Sequence, residues 1–181
     1  MKLINKILLA VLIVGISTAY SQDTNSDNHL VSISIPTVAL LDIESAGSND
    51  ITLAMAAPAE AGDGFADQTD NSLWLNVTSI VSTGNTRDIS VSIDAALTGI
   101  DLKVVSAAYS GSGFGSWGTA GSEITLSTAS QDLVTGIKSG YTLDGANSGF
   151  NLTYTATPNT SNFGDIESGN TDITVTYTFA P

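Results

Sequence analysis

The feature that most constrains the fold is the regular alternation of apolar and hydroxyl side chains near the end of the chain. Within residues 172–179 the apolar positions are Ile173, Val175, Tyr177 and Phe179, and threonines stand between them. Successive side chains of a β-strand point to opposite faces, so this segment predicts a strand with one apolar face and one hydroxyl face. A lone strand is unstable in water, so the segment requires a sheet and a core.

The rest of the chain repeats this pattern in short segments separated by turn residues. We predict strands over residues 31–35, 38–43, 51–57, 73–80, 89–93, 100–108, 124–126, 133–137, 150–155 and 172–179. Long loops are expected over residues 58–72, 110–122 and 158–170. No useful window has the spacing of an amphipathic helix. The pattern therefore predicts an all-β fold, an immunoglobulin-like Greek-key β-sandwich of about eight to ten short strands.

The N-terminus carries the three parts of a secretory signal. Lys2 and Lys6 form a positive head, residues 7–16 are apolar apart from one glycine, and mostly small residues follow. This order predicts a cleaved signal peptide over residues 1–21. The alternative is a membrane anchor, but the apolar run is about half the length that a bilayer requires. We therefore expect a secreted protein at the cell surface that does not span a membrane once mature.

After the signal peptide we expect a polar tail over residues 22–29 and one β-sandwich domain over residues 30–181. The chain has no cysteine, so packing and strand pairing must stabilise the exported domain without disulfides. Its 18 acidic and 5 basic residues give a net charge of −13, and loss of Lys2 and Lys6 would make it −15. A surface without a basic patch repels phosphate groups, which argues against nucleic-acid partners.

Catalytic residues are poorly represented. The one histidine, His29, falls in the polar tail, and there is no cysteine to act as a nucleophile or a zinc ligand. A Ser-His-Asp triad needs a histidine held rigidly beside the serine. A pair of carboxylates remains as the alternative, an acidic secreted hydrolase, but no pair stands out among 18 acids. We expect no enzyme activity and no cofactor.

One predicted loop contains four carboxylates and is a weak candidate for a calcium site. Its members are Glu60, Asp63, Asp67 and Asp70. Calcium takes oxygen ligands from flexible loops, but the spacing matches no EF-hand. A solvated acidic loop is the interpretation we favour, with no metal bound.

Four aromatic residues are candidates for a ligand-binding face, namely Trp74, Phe114, Trp117 and Tyr141. Trp74 falls on the face opposite Leu73 and Leu75, and Phe114 and Trp117 lie in a predicted glycine- and serine-rich loop. Aromatic rings outside a core can mark a surface that binds sugars. The alternative, which we favour, is that the rings cap the open ends of the sandwich or pack beneath loops.

The chain resembles the subunits of chaperone–usher pili, most closely the archaic branch that includes spore coat protein U-like pilins. The features that carry the resemblance are the alternating segment 30–35, Gly115-Ser116-Trp117-Gly118, residues 150–154, and Gly169 ahead of the closing alternation. The chain departs from the family because it lacks the cysteine pair of many pilins and because Tyr177 is not the penultimate residue.

The resemblance implies an incomplete immunoglobulin-like sandwich whose missing strand comes from the next subunit. It makes residues 30–35 a candidate donor strand, with Val31, Ile33 and Ile35 filling a neighbour's groove. It makes the C-terminal strand the edge of that groove and the site that pairs with a periplasmic chaperone. The groove residues would be Ile173, Val175, Tyr177 and Phe179.

The expected function is that of an exported structural or adhesive surface protein, a subunit of a pilus-like filament (a fimbrium) assembled by β-strand exchange with copies of itself or other surface subunits. The alternative is a monomeric secreted β-sandwich that binds a glycan or another surface ligand. The same alternation in residues 30–35 serves both, because a strand can pair within its own chain or with a neighbour.

Overall fold

A computed structural model describes residues 25–181 of the chain. The predicted signal peptide, residues 1–21, lies outside the described residues. The chain divides into an N-terminal unit that ends at Ser34 and a second unit, Ile35–Pro181. The described part of the first unit, residues 25–34, is exposed throughout and contains no strand. Residues 30–35, predicted as an alternating strand, are therefore not in a strand in this structure.

The second unit is built almost entirely from antiparallel strands. Its strands are β1 (Val38–Ser45), β2 (Gln68–Ile80), β3 (Arg87–Ile93), β4 (Ile100–Ser106), β5 (Phe114–Ala120), β6 (Ile124–Thr125), β7 (Gln131–Tyr141), β8 (Phe150–Pro158) and β9 (Val175–Ala180). A single turn of 3-10 helix, Phe163–Asp165, precedes β9. The predicted all-β sandwich is confirmed. Across residues 25–181, no helix combines the length and the apolar character needed to cross a bilayer.

The strands form one hydrogen-bonded network that folds into two layers. The first layer runs β1-β2-β8-β4-β6, and the second runs β9-β3-β7-β5. The layers join where the end of β2 pairs with the end of β7, through Thr78 opposite Tyr141 and Ser79 opposite Gly140. This short ladder makes a corner, so the inner faces of the two layers pack against each other.

The core lies between these inner faces and follows from the alternation of the sequence. The buried apolar side chains include Leu73, Leu75 and Val77 on β2, Ile89, Val91 and Ile93 on β3, Leu133, Val134 and Ile137 on β7, and Phe150, Leu152 and Tyr154 on β8. Each such side chain contributes about 1.5–3 kcal/mol by leaving water. The residues between them on β2, β3 and β8 face outward and are largely polar, as expected for a sheet with one buried face.

The predicted loop over residues 110–122 is wrong, because its central part forms β5. Gly115 lies opposite Gly140 of β7, and a Cβ on either residue would collide with the backbone of the other strand. Gly115 also has a φ of 141°, which only glycine adopts readily. The glycines that indicated a loop are thus what allows β5 and β7 to approach.

The predicted strand over residues 51–57 is also wrong, because no strand of the described chain pairs with this segment. Ile51 and Leu53 nevertheless pack against the core, half-buried, while the residues between them are exposed. Packing on one side produces the same alternation as a strand. Without a partner strand, the backbone makes no ladder.

The closing strand begins at Val175, later than the predicted start at residue 172. The amide of Thr174 donates to the Asp94 carboxylate (3.0 Å), and the amide of Asp94 donates to the Thr174 carbonyl (3.1 Å). Donation from the Thr174 amide, followed by donation from its side chain, holds the pKa of the Asp94 carboxyl below its usual value. The approach to β9 is therefore tied to the turn after β3.

We expect substitution of a core leucine to be far more costly than substitution of a surface leucine. Leu75 is fully buried on β2, whereas Leu40 on β1 is 63% exposed. Leu75→Ala should lower the free energy of unfolding by about 2–5 kcal/mol, and Leu40→Ala by about 0.5 kcal/mol or less. Urea unfolding of both variants measures the difference, and equal losses would contradict the described core.

Candidate functional site

The two strands β1 and β9 lie beside each other at one side of the sandwich without pairing. β1 pairs with β2, β9 pairs with β3, and no ladder joins β1 to β9. In an immunoglobulin sandwich the layers are A-B-E-D and C-F-G. The strands β1-β2-β8-β4 follow the first order, and β3 and β9 stand where C and F stand. No described strand occupies the position of G, beyond β9.

A groove opens between these two strands, which we call the β1–β9 cleft. Its volume is about 330 Å³, and its lining consists of Leu41, Asp42 and Ile43 of β1, Asn49, and Tyr177 of β9. Leu41, Ile43 and Tyr177 pack against the core but are only half-buried. The edge of the hydrophobic core is therefore reached from solvent at this cleft.

The remaining apolar residues of β9 are half-buried in the same way. Val175 and Phe179 pack against the core, and the preceding Ile173 does so too. The guanidinium of Arg87 lies 5.9 Å from the centroid of the Phe179 ring, at cation–π distance. The structure thus brings Val175, Tyr177 and Phe179 onto one face of β9, while Ile173 precedes the strand.

A pair of tyrosine hydroxyls lies on the inner side of β9. The hydroxyl oxygens of Tyr154 on β8 and Tyr177 on β9 are 2.5 Å apart. Burial raises the pKa of Tyr177, and its contact with Tyr154 raises it further. Burial also raises the pKa of Tyr154. Since β8 and β9 belong to different layers, this hydrogen bond fastens the open side of the sandwich.

The other free edges of the sandwich are protected. The edge strand β6 contains two residues. The edge strand β5 is interrupted at Gly115 and Gly118, which have positive φ angles, and its pairing with β7 shifts register between Gly115 and Trp117. Short or irregular edges resist pairing with another chain. β6 covers β4 at Lys103 and Val104, so only short pieces of the β4 edge remain free. The ladders of β1 and β9 have no register shift, so their outer edges are the regular ones suited to receive a further strand.

The apolar residues of the candidate donor segment are largely exposed to solvent. The exposed fractions are 89% for Leu30, 67% for Val31, 83% for Ile33 and 71% for Ile35. Four large apolar side chains so close together in sequence and so exposed are unusual, because isolated chains rarely leave a contiguous apolar patch in water. The segment therefore carries apolar surface that has no core to cover it.

The structure brings together only two of the four aromatic candidates, Phe114 and Tyr141. Trp117 is half-buried, with its ring 4.3 Å from that of Tyr109 and 6.5 Å from that of Phe150, so it caps the end of the core. Phe114 is exposed beside Tyr141, at 6.0 Å between ring centroids. Among residues 25–181, Trp74 makes no ring contact with any of the other three.

The carboxylates of the weak candidate calcium loop do not converge. Glu60, Asp63 and Asp67 are exposed, and Asp70 accepts hydrogen bonds from the backbone amide (2.9 Å) and the hydroxyl (2.7 Å) of Ser72. In the part of the chain that the structure describes, no three His, Cys, Asp or Glu side chains are grouped so that they could hold a metal ion.

Four of the five residues that line the β1–β9 cleft were missed at the level of sequence, namely Leu41, Asp42, Ile43 and Asn49. Leu41 and Ile43 belong to a run, residues 38–43, that was predicted as a strand but not linked to β9. Their place in the cleft depends on β1 lying beside β9, more than a hundred residues away in sequence, for which the local pattern holds no signal. Comparison of the chain with protein-family models, with curated proteins and with solved structures found no match.

The hydroxyl pair predicts a loss of stability at high pH. The ordinary tyrosine pKa is about 10, and both folded-state values are raised above it. Above pH 10 the unfolded state therefore binds fewer protons than the folded state, so the free energy of unfolding falls as the pH rises, while the full stabilisation remains below that pH.

The matched variant replaces both hydroxyls, Tyr154→Phe with Tyr177→Phe. Urea unfolding at about pH 9 and pH 11 should show a larger loss of stability for the unchanged protein than for this double variant. Equal losses would contradict the buried pair. The single variant Tyr177→Phe should be less stable at neutral pH by about 1–3 kcal/mol, because it leaves the Tyr154 hydroxyl without its partner.

Proposed function

We propose that this chain is a non-enzymatic subunit of an extracellular filament and that subunits join by β-strand exchange. In this proposal, residues 30–35 of one copy enter the β1–β9 cleft of the next. The observation that carries the proposal is the open side of the sandwich, where β9 has a free edge and half-buried apolar side chains. An exposed apolar segment elsewhere in the same chain supplies a matching occupant.

Strand exchange would give the free edge of β9 a partner and would cover the exposed apolar side chains of residues 30–35. An added strand supplies hydrogen-bond partners to the free edge of β9. In an extended segment, Val31, Ile33 and Ile35 point to one side, so all three side chains can enter the cleft together. Burial of each contributes about 1.5–3 kcal/mol before the cost of ordering the segment.

The residues between the donor segment and β1 favour exchange over pairing within one chain. Pro36 and Thr37 alone separate Ile35 from Val38, the first residue of β1. A two-residue hairpin loop requires positive φ at its first position, in both common turn types. Proline fixes φ near −65°, so a tight hairpin that folds the segment back onto β1 is disfavoured.

The remaining expectations about partners and place belong to the same proposal. A free strand edge is prone to unwanted pairing, so a subunit of this kind needs a chaperone until assembly, and a periplasmic chaperone would pair with β9. The signal sequence supports export to the cell surface. Resemblance to archaic chaperone–usher pilins adds to this, and an adhesive role at the surface is consistent with a filament.

The experiment compares two aspartate substitutions one residue apart. Ile33→Asp places a charge on the side of the donor segment that would enter the cleft, whereas Ser34→Asp places the same charge on the opposite side. Both variants are exported with their own leader and purified from the cell surface. Negative-stain microscopy and size exclusion then measure filament length and oligomer size.

We expect filaments from the unchanged protein and from Ser34→Asp, and at least tenfold less polymer from Ile33→Asp. The thermal melting temperature of the Ile33→Asp monomer should equal that of the truncated chain 36–181, since neither fills its own cleft. A stable monomer from the unchanged protein, or normal filaments from Ile33→Asp, would overturn the proposal and favour a monomeric binding module.

A further inference from the structure

A second cleft lies on the outer face of the first layer, away from the core. We call it the outer cleft. It is bounded by β1, by β2 and by the loop that follows β7, and its volume is about 590 Å³. Its lining residues are Leu40, Leu41, Asp42, Asn76, Val77, Thr78, Tyr141, Leu143 and Asp144. Small-molecule sites in proteins span about 300–1,000 Å³, so the outer cleft has the size of such a site.

The outer cleft presents an aromatic ring and two leucines to solvent. Tyr141 is 44% exposed, and Leu40 and Leu143 are exposed to a similar or greater degree. The ring of Phe114, also exposed, lies beside that of Tyr141 and extends the aromatic surface. A flat ring that remains open to solvent next to polar groups is suited to stack on the apolar face of a ligand.

One wall of the outer cleft is fixed before any ligand binds. Thr142 is buried, its amide donates to the Val77 carbonyl (3.0 Å), and its hydroxyl accepts a hydrogen bond from the Val77 amide (2.9 Å). The hydroxyl of Tyr109 donates to the Thr142 carbonyl (2.9 Å). Since the ring of Tyr141 and the side chain of Leu143 flank this anchored residue, little ordering entropy remains to be lost on binding.

The backbone at Leu143 also indicates that this wall of the outer cleft is fixed before a ligand binds. Its φ is 81°, a value that is rare for a residue other than glycine and costs free energy. The loop is held further by the Asn76 side-chain amide, which donates to the Gly145 carbonyl (3.0 Å). These bonds hold an apolar side chain at the surface in a strained conformation instead of releasing it to a relaxed one.

The polar groups of the outer cleft define the chemistry of its ligand. Asp42 and Asp144 are exposed carboxylates, and no lysine, arginine or histidine is among the lining residues. Carboxylates accept hydrogen bonds from hydroxyl and ammonium groups. They repel anions, and the acidic surface of the chain as a whole adds to this repulsion. An anionic ligand is therefore excluded.

We propose that the outer cleft binds a neutral or amino sugar. One face of the sugar ring stacks on Tyr141, and its hydroxyl or ammonium groups donate hydrogen bonds to Asp42 and Asp144. One oxygen of Asp42 already accepts a hydrogen bond from the Ile43 amide (2.8 Å). An apolar peptide offers no donor to Asp144 or to the other oxygen of Asp42, which disfavours it. The outer cleft shares Leu41 and Asp42 with the β1–β9 cleft, whereas Tyr141, Leu143 and Asp144 line the outer cleft alone.

The test uses a printed array of neutral, amino and acidic oligosaccharides, followed by calorimetric titration with the strongest binder. The variants are Tyr141→Ala, Tyr141→Phe and Asp144→Asn. Phe163→Ala is the matched control, because Phe163 is 42% exposed and also belongs to a ring pair, with Phe65 at 6.3 Å. Thermal melting of each variant checks that it is folded.

We expect binding of neutral or amino sugars by the unchanged protein, Tyr141→Phe and Phe163→Ala. Tyr141→Ala should weaken binding at least tenfold, and Asp144→Asn about three- to tenfold. The proposal is overturned if no sugar binds at millimolar concentration, if acidic sugars bind best, or if Tyr141→Ala and Phe163→Ala behave alike. Capture of a lysine–leucine peptide in place of any sugar would also overturn it, in favour of a basic protein partner.

Discussion

The outer edge of β9 has no strand partner within residues 25–181, and this unpaired edge organises the open side of the sandwich. An internal strand exposes little of its apolar face, but β9 and β1 leave Tyr177, Leu41 and Ile43 half-buried around a cleft. The Tyr154–Tyr177 hydrogen bond ties this side together across the layers. This bond holds the two layers together in the interior, while the outer edge of β9 remains free to pair. Strand addition requires both a folded acceptor and a free edge.

The alternation of apolar and polar residues predicted the strands that have one solvent-exposed face and one buried face. The threonine-spaced segment became β9, and the run that includes Leu73 and Leu75 became part of β2 with its apolar residues inside. The failures have a common cause. Residues 51–57 alternate because they pack on the core, and β5 pairs through glycines, so in both cases the tertiary partner decided the state of the backbone.

Only the β9 side of the candidate site and the donor segment could be predicted from the sequence. Val175, Tyr177 and Phe179 follow from alternation alone, and so does the apolar side of residues 30–35. Leu41, Ile43 and the hydroxyl partner Tyr154 enter through contacts between distant strands. Tyr141 was among the aromatic candidates, but the outer cleft itself was not predicted, because Tyr141 and Leu40 come from separate strands and meet only after β2 has paired with both β1 and β7.

The central claim is that the free edge of β9 receives residues 30–35 of another copy, and amide hydrogen exchange tests it most directly. Exchange is followed by mass spectrometry in assembled protein and in the monomeric Ile33→Asp variant, which retains residues 30–35, with residues 58–67 as an internal reference. The account predicts that assembly slows exchange both in residues 30–35 and in β9, and leaves the reference loop unchanged. Fast exchange of either segment in assembled protein would contradict it.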